Sequence, residues 1–182
     1  QARNFGLEIS KGELITFIDG DDIYLKDCLK QRVDLFERDP DSDMVISRQI
    51  EFKGELKENL SHVEKSKVSV KSGENLLQMI ISDTNNHFSW NSMIKSQIAK
   101  STTFPLIKFA EDYCYIRNCV NLSKKVVVSS QKLYFYRVDN QESMTNNFFA
   151  EKYIKDYMVL PVNFFDFCME NNLKNTFYRG LI

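Results

Sequence analysis

The spacing of apolar residues along the chain predicts helices and strands in mixed order. Runs with helical periodicity are separated by shorter runs rich in Val, Ile and aromatic residues, which are typical of strands. The predicted helices are Gln1 to Ser10, Tyr24 to Arg38, a helix that begins after Ser72, Gln97 to Ser101, Glu111 to Leu122, and Asn147 to Asn172 with a break at Pro161. The predicted strands are Leu14 to Ile18, Asp43 to Lys53, Lys67 to Val70, and Lys125 to Tyr136. This order indicates an α/β fold.

The most informative local feature is the point at which the first predicted strand ends. Leu14 to Ile18 is short and mostly apolar, and the carboxylates of Asp19, Asp21 and Asp22 follow it around Gly20. Ligands bind at the carboxyl ends of strands in α/β sheets, and crowded carboxylates repel one another unless a cation neutralises them. Carboxylate oxygens suit Mg²⁺ or Mn²⁺, which take further ligands from substrate phosphates. The alternative is a solvated acidic turn in which Asp22 is the N-cap of the following helix.

Composition argues against several classes of function. The 182 residues are 43% hydrophobic and 27% charged, which suits one domain with a hydrophobic core. A net charge of −1 gives no basis for nucleic-acid binding, and no apolar run approaches the roughly 18 residues of a membrane span. The four cysteines include no C-x-x-C pair, which favours free buried thiols in a reducing compartment over disulfides. His62 and His87 have no Cys or His partner at metal spacing, so zinc is not expected.

Three segments together resemble the nucleotide-diphospho-sugar transferases of glycosyltransferase family 2, which have the GT-A fold. The first is ARNFGLEISKGELITFIDGDDIYLKDCL, which is similar to the family pattern A-R-N-x-G-L-x-x-A-x-G followed by an apolar strand and D-x-D-D. Phe109 to Tyr113 looks like the E-D motif of the family. Tyr134 to Arg137, followed by Ser143 to Thr145, looks like its Y-x-Y-R…S-x-T segment. The resemblance implies a mixed sheet flanked by helices.

The resemblance also implies that part of the family's domain is missing from this sequence. In the family, three strands and their helices precede the first matched segment and carry most of the nucleotide-base pocket. Here the chain has no initiator Met and begins within a predicted helix. We therefore expect a truncated GT-A fold, in which residues 1–182 form one partial domain with the catalytic and acceptor-side portion. The strand at Leu14 to Ile18 would then keep an unpaired edge, which favours self-association.

The resemblance assigns a donor-binding set, within which Asp19 contacts the ribose region and Asp21 reaches the metal. The set comprises Arg3, Asn4, Asp19, Asp21, Arg137, Ser143 and Thr145, and the metal ligands within it are Asp21 and Asp19. The alternative for Arg3 is that it is a surface cation on the first helix with no contact to the donor. The arginine and hydroxyls of the last segment would close on the diphosphate.

The resemblance assigns the catalytic pair Asp112 and Glu111, with Asp112 as the general base. A neighbouring carboxylate raises one pKa of such a pair and keeps a proton acceptor usable near neutral pH. The alternative is that both acids only compensate the helix dipole. Trp90 and Asn91 stand where the family lines the acceptor or sugar pocket, and a half-buried core tryptophan is the alternative.

Together these features predict a metal-dependent, inverting glycosyltransferase that uses Mg²⁺ or Mn²⁺. Because the strands that carry most of the nucleotide-base pocket are missing, we expect this fragment itself to be inactive and to bind nucleotide weakly or not at all. We expect a nucleotide-diphospho-sugar donor (a UDP-sugar), a saccharide or lipid-linked acceptor in bacterial cell-surface polysaccharide synthesis, and a cytoplasmic location, at most peripheral to the membrane. One rival is another metal-phosphate enzyme, a nucleotidyltransferase using Asp19 and Asp21, which leaves the E-D and Y-x-Y-R segments unexplained. The other rival is an inactive or degenerate sugar- or nucleotide-binding fragment.

Overall fold

The computed structural model describes residues 2–55, 67–73, 76–77, 88–107, 110–140 and 162–171. Within them the helices are α1 (Ala2–Ile9), α2 (Cys28–Arg38), α3 (Ser96–Ala99) and α4 (Glu111–Leu122), with a 3₁₀ turn at Ser89–Asn91. The strands are β1 (Leu14–Thr16), β2 (Ile23–Tyr24), β3 (Met44–Phe52), β4 (Val68–Ser72), β5 (Ser92–Lys95) and β6 (Lys125–Arg137). Residues 162–170 are also helical.

The described strands form one mixed sheet in the order β1-β5-β3-β6-β2, and β4 also pairs with β6. The central pair, β3 and β6, is parallel, while the other pairs are antiparallel. Successive residues of β3 point to opposite faces, so Met44 and Ile46 join one core cluster and Val45 joins another. Helix α4 contributes to the first cluster and α2 to the second, so helices cover both faces of the sheet. The predicted α/β class is confirmed.

Two predicted boundaries are wrong near the acidic segment. The helix predicted from Tyr24 begins only at Cys28, because Tyr24 lies in β2 and pairs with Tyr134 of β6. Asp27 then takes a left-handed backbone conformation, with φ 67°, directly before the helix. The first strand is also shorter than predicted, since β1 ends at Thr16. The chain therefore makes an extra pairing with β6 immediately after the carboxylates.

Other predicted features can be compared with the described residues. All four cysteines are free and buried. Leu76 and Leu77 are buried and helical, as predicted after Ser72. The predicted helix at 147–161 lies outside the described residues. In the part of the chain that is described, no helix has the length and apolar character needed to cross a membrane.

Candidate active site

Strand β1 leads into a turn at residues 19–22, here called the acidic turn, which is fixed by hydrogen bonds to β6. The buried Asp22 carboxylate accepts the Tyr134 hydroxyl at 2.7 Å and the Arg137 N–H at 2.8 Å. Burial raises the pKa of Asp22, although both donors oppose the change. The interpretation of Asp22 as a helix N-cap is therefore wrong, since its carboxylate bonds to β6 and α2 begins further along the chain.

Arg3 of α1 joins the acidic turn to the start of α4. Its Nη2 donates to Asp19 Oδ1 at 2.7 Å, and its Nη1 donates to Glu111 Oε1 at 2.5 Å. The guanidinium carbon also lies 5.5 Å from the centre of the Phe104 ring. The Arg3 side chain keeps 31% of its surface exposed, so this ion-pair bridge lies at the protein surface. Three predicted site residues that lie far apart in the sequence, Arg3, Asp19 and Glu111, are thus brought together.

Asp112, the predicted base, follows Glu111 in the first turn of α4. Its Oδ1 accepts the N–H of Tyr113 at 2.8 Å. Burial and the charge of Glu111 raise the pKa of Asp112 to about 6, and the Tyr113 N–H and Arg3 only partly oppose this. Ala110, directly before the pair, has a left-handed backbone with φ 56°, which is strained for a residue with a side chain. The predicted rise in the pKa of one member of the pair is therefore present.

Asp21 is held by two residues at the end of β6 and just beyond it. The Arg137 Nε donates to the Asp21 carbonyl at 3.1 Å, and the Asn140 Nδ2 donates to Asp21 Oδ2 at 2.6 Å. Arg137 also donates to the Gly54 carbonyl at 3.0 Å, with its guanidinium 4.5 Å from the Phe52 ring centre. The predicted contact of Arg137 with a diphosphate stays a prediction. Asn140 was missed because no local pattern links a residue after β6 to a turn after β1.

Trp90 and Asn91 lie in the 3₁₀ turn and are both buried. The Trp90 ring stacks on Phe88, Tyr134 and Tyr136, with ring centres 4.8, 4.5 and 5.3 Å away. The Asn91 Oδ1 accepts the Phe88 N–H at 3.1 Å. Trp90 thus belongs to a packed aromatic cluster and Asn91 fixes the turn that carries it. The predicted contact of both residues with an acceptor stays a prediction.

Asn4 bonds to the main chain of Phe104 in both directions. Its Nδ2 donates to the Phe104 carbonyl at 2.9 Å, and its Oδ1 accepts the Phe104 N–H at 2.8 Å. The amide therefore ties α1 to the segment before α4, and a role near the nucleotide stays a prediction. Ser143 and Thr145 lie outside the described residues.

The acidic turn fits a metal ion only when a substrate shares it. Among the described residues, no group of three or more His, Cys, Asp or Glu side chains is placed to hold an ion. The partly exposed carboxylates of Asp19 and Asp21 supply two hard oxygen ligands. Mg²⁺ is commonly held by one or two carboxylates, with waters and substrate phosphates completing its octahedron. The residues present are thus compatible with a metal–diphosphate site.

A mixed sheet between helices, with carboxylates after the edge strand β1 and an acidic pair at a helix start, is the architecture of a GT-A glycosyltransferase. The profile of glycosyl transferase family 2 matches residues 1–114, and the chain belongs to that family.

Solved structures with the same fold come from S. aureus TarS. TarS residues 1–349 in complex with UDP-GlcNAc match with a TM-score of 0.65 and 20% identity, over 88% of this chain and 45% of that one. TarS residues 1–349 in complex with UDP match with a TM-score of 0.57 and 22% identity, over 75% of this chain and 39% of that one. The chain therefore spans less than half the length of these structures. Comparison with curated protein sequences finds no significant match.

Proposed function

We propose that this chain carries the catalytic portion of an inverting, metal-assisted glycosyltransferase. The observation that carries the proposal is the Arg3 bridge, which sets the carboxylate of Asp19 beside the Glu111–Asp112 pair. Donor-side and acceptor-side chemistry both require carboxylates, and here they meet at one point of the fold. Family membership supports sugar transfer as the reaction class. The complexes of TarS with UDP-GlcNAc and UDP support a UDP-sugar as the donor.

On the donor side, Asp19 and Asp21 would hold Mg²⁺ or Mn²⁺ together with the diphosphate. The ion supplies charge neutralisation for the leaving nucleoside diphosphate. Arg137 and Asn140 fix the main chain and one carboxylate oxygen of Asp21, which leaves the turn little freedom to reorient. Preorganised groups of this kind lower the cost of stabilising the charge that develops as the bond to the diphosphate breaks.

On the acceptor side, Asp112 would take the proton from the acceptor hydroxyl. The hydroxyl oxygen attacks the anomeric carbon while the bond to the diphosphate breaks, so a single displacement inverts the configuration. Glu111 is paired with Arg3, so its carboxylate is engaged in the ion-pair bridge. The pKa of about 6 leaves Asp112 ionised at neutral pH but more basic than an ordinary carboxylate.

For the acceptor we propose only a chemical class, and for the location only a compartment. We propose a saccharide or lipid-linked acceptor of cell-surface polysaccharide synthesis, reached from the cytoplasmic side. The four free, buried cysteines fit a reducing compartment. We also propose self-association through the outer edge of β1.

The metal site is tested by titrating UDP into the chain with and without Mg²⁺. Asp21→Ala should weaken the Mg²⁺-dependent affinity for UDP by at least about 10- to 100-fold, since even indirect partners of metal ligands have effects of that size. Asp41→Ala, an exposed acid in the turn after α2, is the matched control and should bind as the wild type does. Donor hydrolysis or transfer that continues undiminished in EDTA would contradict the metal role.

A further inference from the structure

We propose that Tyr134 is a positioning residue that fixes the acidic turn on the donor side and supports Trp90 on the acceptor side. This inference rests on the proposed function. It gives Tyr134 an indirect role, because its side chain does not bond to the carboxylates of Asp19 and Asp21 or to the predicted base.

The hydroxyl of Tyr134 links both ends of the acidic turn. It donates to Asp22 Oδ2 at 2.7 Å and accepts the N–H of Asp19 at 3.1 Å. Tyr134 itself is fully buried, with 0% of its surface exposed, so no solvent competes for these bonds. Its donor and its acceptor capacity are thus both used on the two residues that bracket Gly20 and Asp21. A turn clamped at both ends presents its carboxylates in one arrangement.

The ring of Tyr134 carries the second half of the argument. It stacks on Trp90, with ring centres 4.5 Å apart and an angle of 19° between the planes. It also contacts the Tyr24 ring edge-on at 5.6 Å, and the Tyr24 hydroxyl donates to the Phe17 carbonyl at 2.6 Å. The same side chain therefore contacts the acidic turn, the strand that follows it, and the 3₁₀ turn that carries Trp90.

Tyr134→Phe separates the two parts, because it removes the hydroxyl and leaves the stacked ring. Tyr115→Phe is the matched control. Tyr115 is equally buried, its ring stacks on Phe104, and its hydroxyl donates to the Ala99 carbonyl, away from the acidic turn. Both changes delete one hydroxyl from a stacked, buried tyrosine.

Two measurements follow. Without nucleotide, Tyr134→Phe should increase the amide hydrogen-exchange rate of Asp19 by about tenfold, since that N–H loses its acceptor. With UDP, the Mg²⁺ concentration at half-saturation should rise by about tenfold, as for other partners that orient metal ligands. Trp90 is the only tryptophan in the chain, so its emission reports whether binding on the donor side reaches the stacked ring. The emission change on adding Mg²⁺ and UDP should shrink in Tyr134→Phe.

The control decides between positioning and packing. If Tyr115→Phe changes exchange at Asp19 or the Mg²⁺ requirement as much as Tyr134→Phe does, the effect is general loosening and the proposal is overturned. Unchanged exchange at Asp19 in Tyr134→Phe overturns it as well. Asp22→Asn approaches the same bond from its other end, and non-additive effects in the double variant would support a single clamp. The exchange measurement tests the clamp without any nucleotide, whereas UDP binding that does not depend on Mg²⁺ would contradict the proposed donor site and leave the clamp standing.

Discussion

Glu111 and Asp112 are adjacent carboxylates with different surroundings. Glu111 is paired with Arg3, whereas Asp112 is partly buried and receives one N–H bond from Tyr113. Because burial and the neighbouring charge favour the neutral form, the pKa of Asp112 rises to about 6. The different surroundings of the two carboxylates thus make Glu111 an ion-pair partner and suit Asp112 to accept a proton.

Asp112→Asn should reduce sugar transfer by about 10²- to 10⁴-fold, because the general base is lost. Nucleotide affinity should not change, since the base acts on the acceptor. In the unsubstituted chain the ionised form is required, so kcat/KM should fall as the pH drops through about 6. Kinetics across about pH 5–8, a range chosen around that pKa, measure the loss of transfer, and calorimetry with UDP measures nucleotide affinity. Near-normal turnover in the variant, or lost UDP affinity, would reassign Asp112 to compensation of the helix dipole.

Strand β6 is the element that organises the site. It pairs with β3, β4 and β2 and delivers Tyr134 and Arg137 to the acidic turn. At the other end of the sheet, helical backbone begins at Gly73 directly after β4 and passes close to the end of α4. A Cβ at Gly73 would lie 2.0 Å from the Ser123 carbonyl oxygen and 2.4 Å from that of Val120. The absence of a side chain is therefore a packing requirement there.

Gly73→Ala should lower the free energy of unfolding by about 1–3 kcal/mol, because backbone must shift to admit the methyl group. Gly6→Ala, inside α1, is the control, since nothing lies within 4 Å of its added Cβ. That change should instead stabilise the chain by about 0.5–1 kcal/mol through helix propensity. Urea unfolding of the two variants measures both. A Gly73→Ala variant as stable as the wild type would show that β4 and α4 are not packed this closely.

The spacing of apolar residues predicted correctly those helices and strands whose structure depends mainly on their own residues. β3, β6 and α4 have clear periodicity, and the carboxylates of the acidic turn are contiguous in sequence. Prediction was wrong at Tyr24, where apolar spacing favoured a helix but pairing with β6 formed a strand. The partners of the acidic turn, Tyr134 and Asn140, lie more than a hundred residues away. No local signal reports contacts at that separation. The family resemblance placed Arg137 in the donor-binding set, but the hydrogen bonds from Tyr134 and Asn140 to the turn were not predicted.

At the scale of the whole molecule, the sheet has two outer edges among the described strands. At one edge β1 pairs only with β5, and at the other β4 and β2 each pair only with β6, along different parts of it. The Glu13 carbonyl accepts the Ser96 N–H, so by alternation the N–H and C=O groups of Leu14 and Thr16 point away from β5. A groove beside that edge is lined by apolar side chains and by charged ones, namely Leu14, Val33 and Phe36 together with Glu13, Glu37 and Lys95. Unpaired backbone next to apolar surface is a template for a second chain.

The edge formed by β4 can be compared with the edge formed by β1. The Lys67 carbonyl accepts the Ser130 N–H, so the N–H of Val70 points away from β6 in the same way. Lys71 on β4 and Lys67 directly before it are residues of the type that discourages edge pairing. The two edges therefore offer similar backbone with different protection, and we expect association through β1.

Sedimentation of the chain over a range of concentrations should show a dimer that dissociates on dilution. Leu14→Pro removes an outward N–H without removing a bond to β5, and proline is tolerated at such edge positions. It should shift the equilibrium toward monomer by about tenfold or more, since each lost bond that would be buried in the dimer is worth about 1–3 kcal/mol. Val70→Pro makes the same change at the β4 edge and should leave the dimer intact. A wild-type chain that stays monomeric at all concentrations contradicts the prediction, and dissociation by Val70→Pro alone would place the interface on β4 instead.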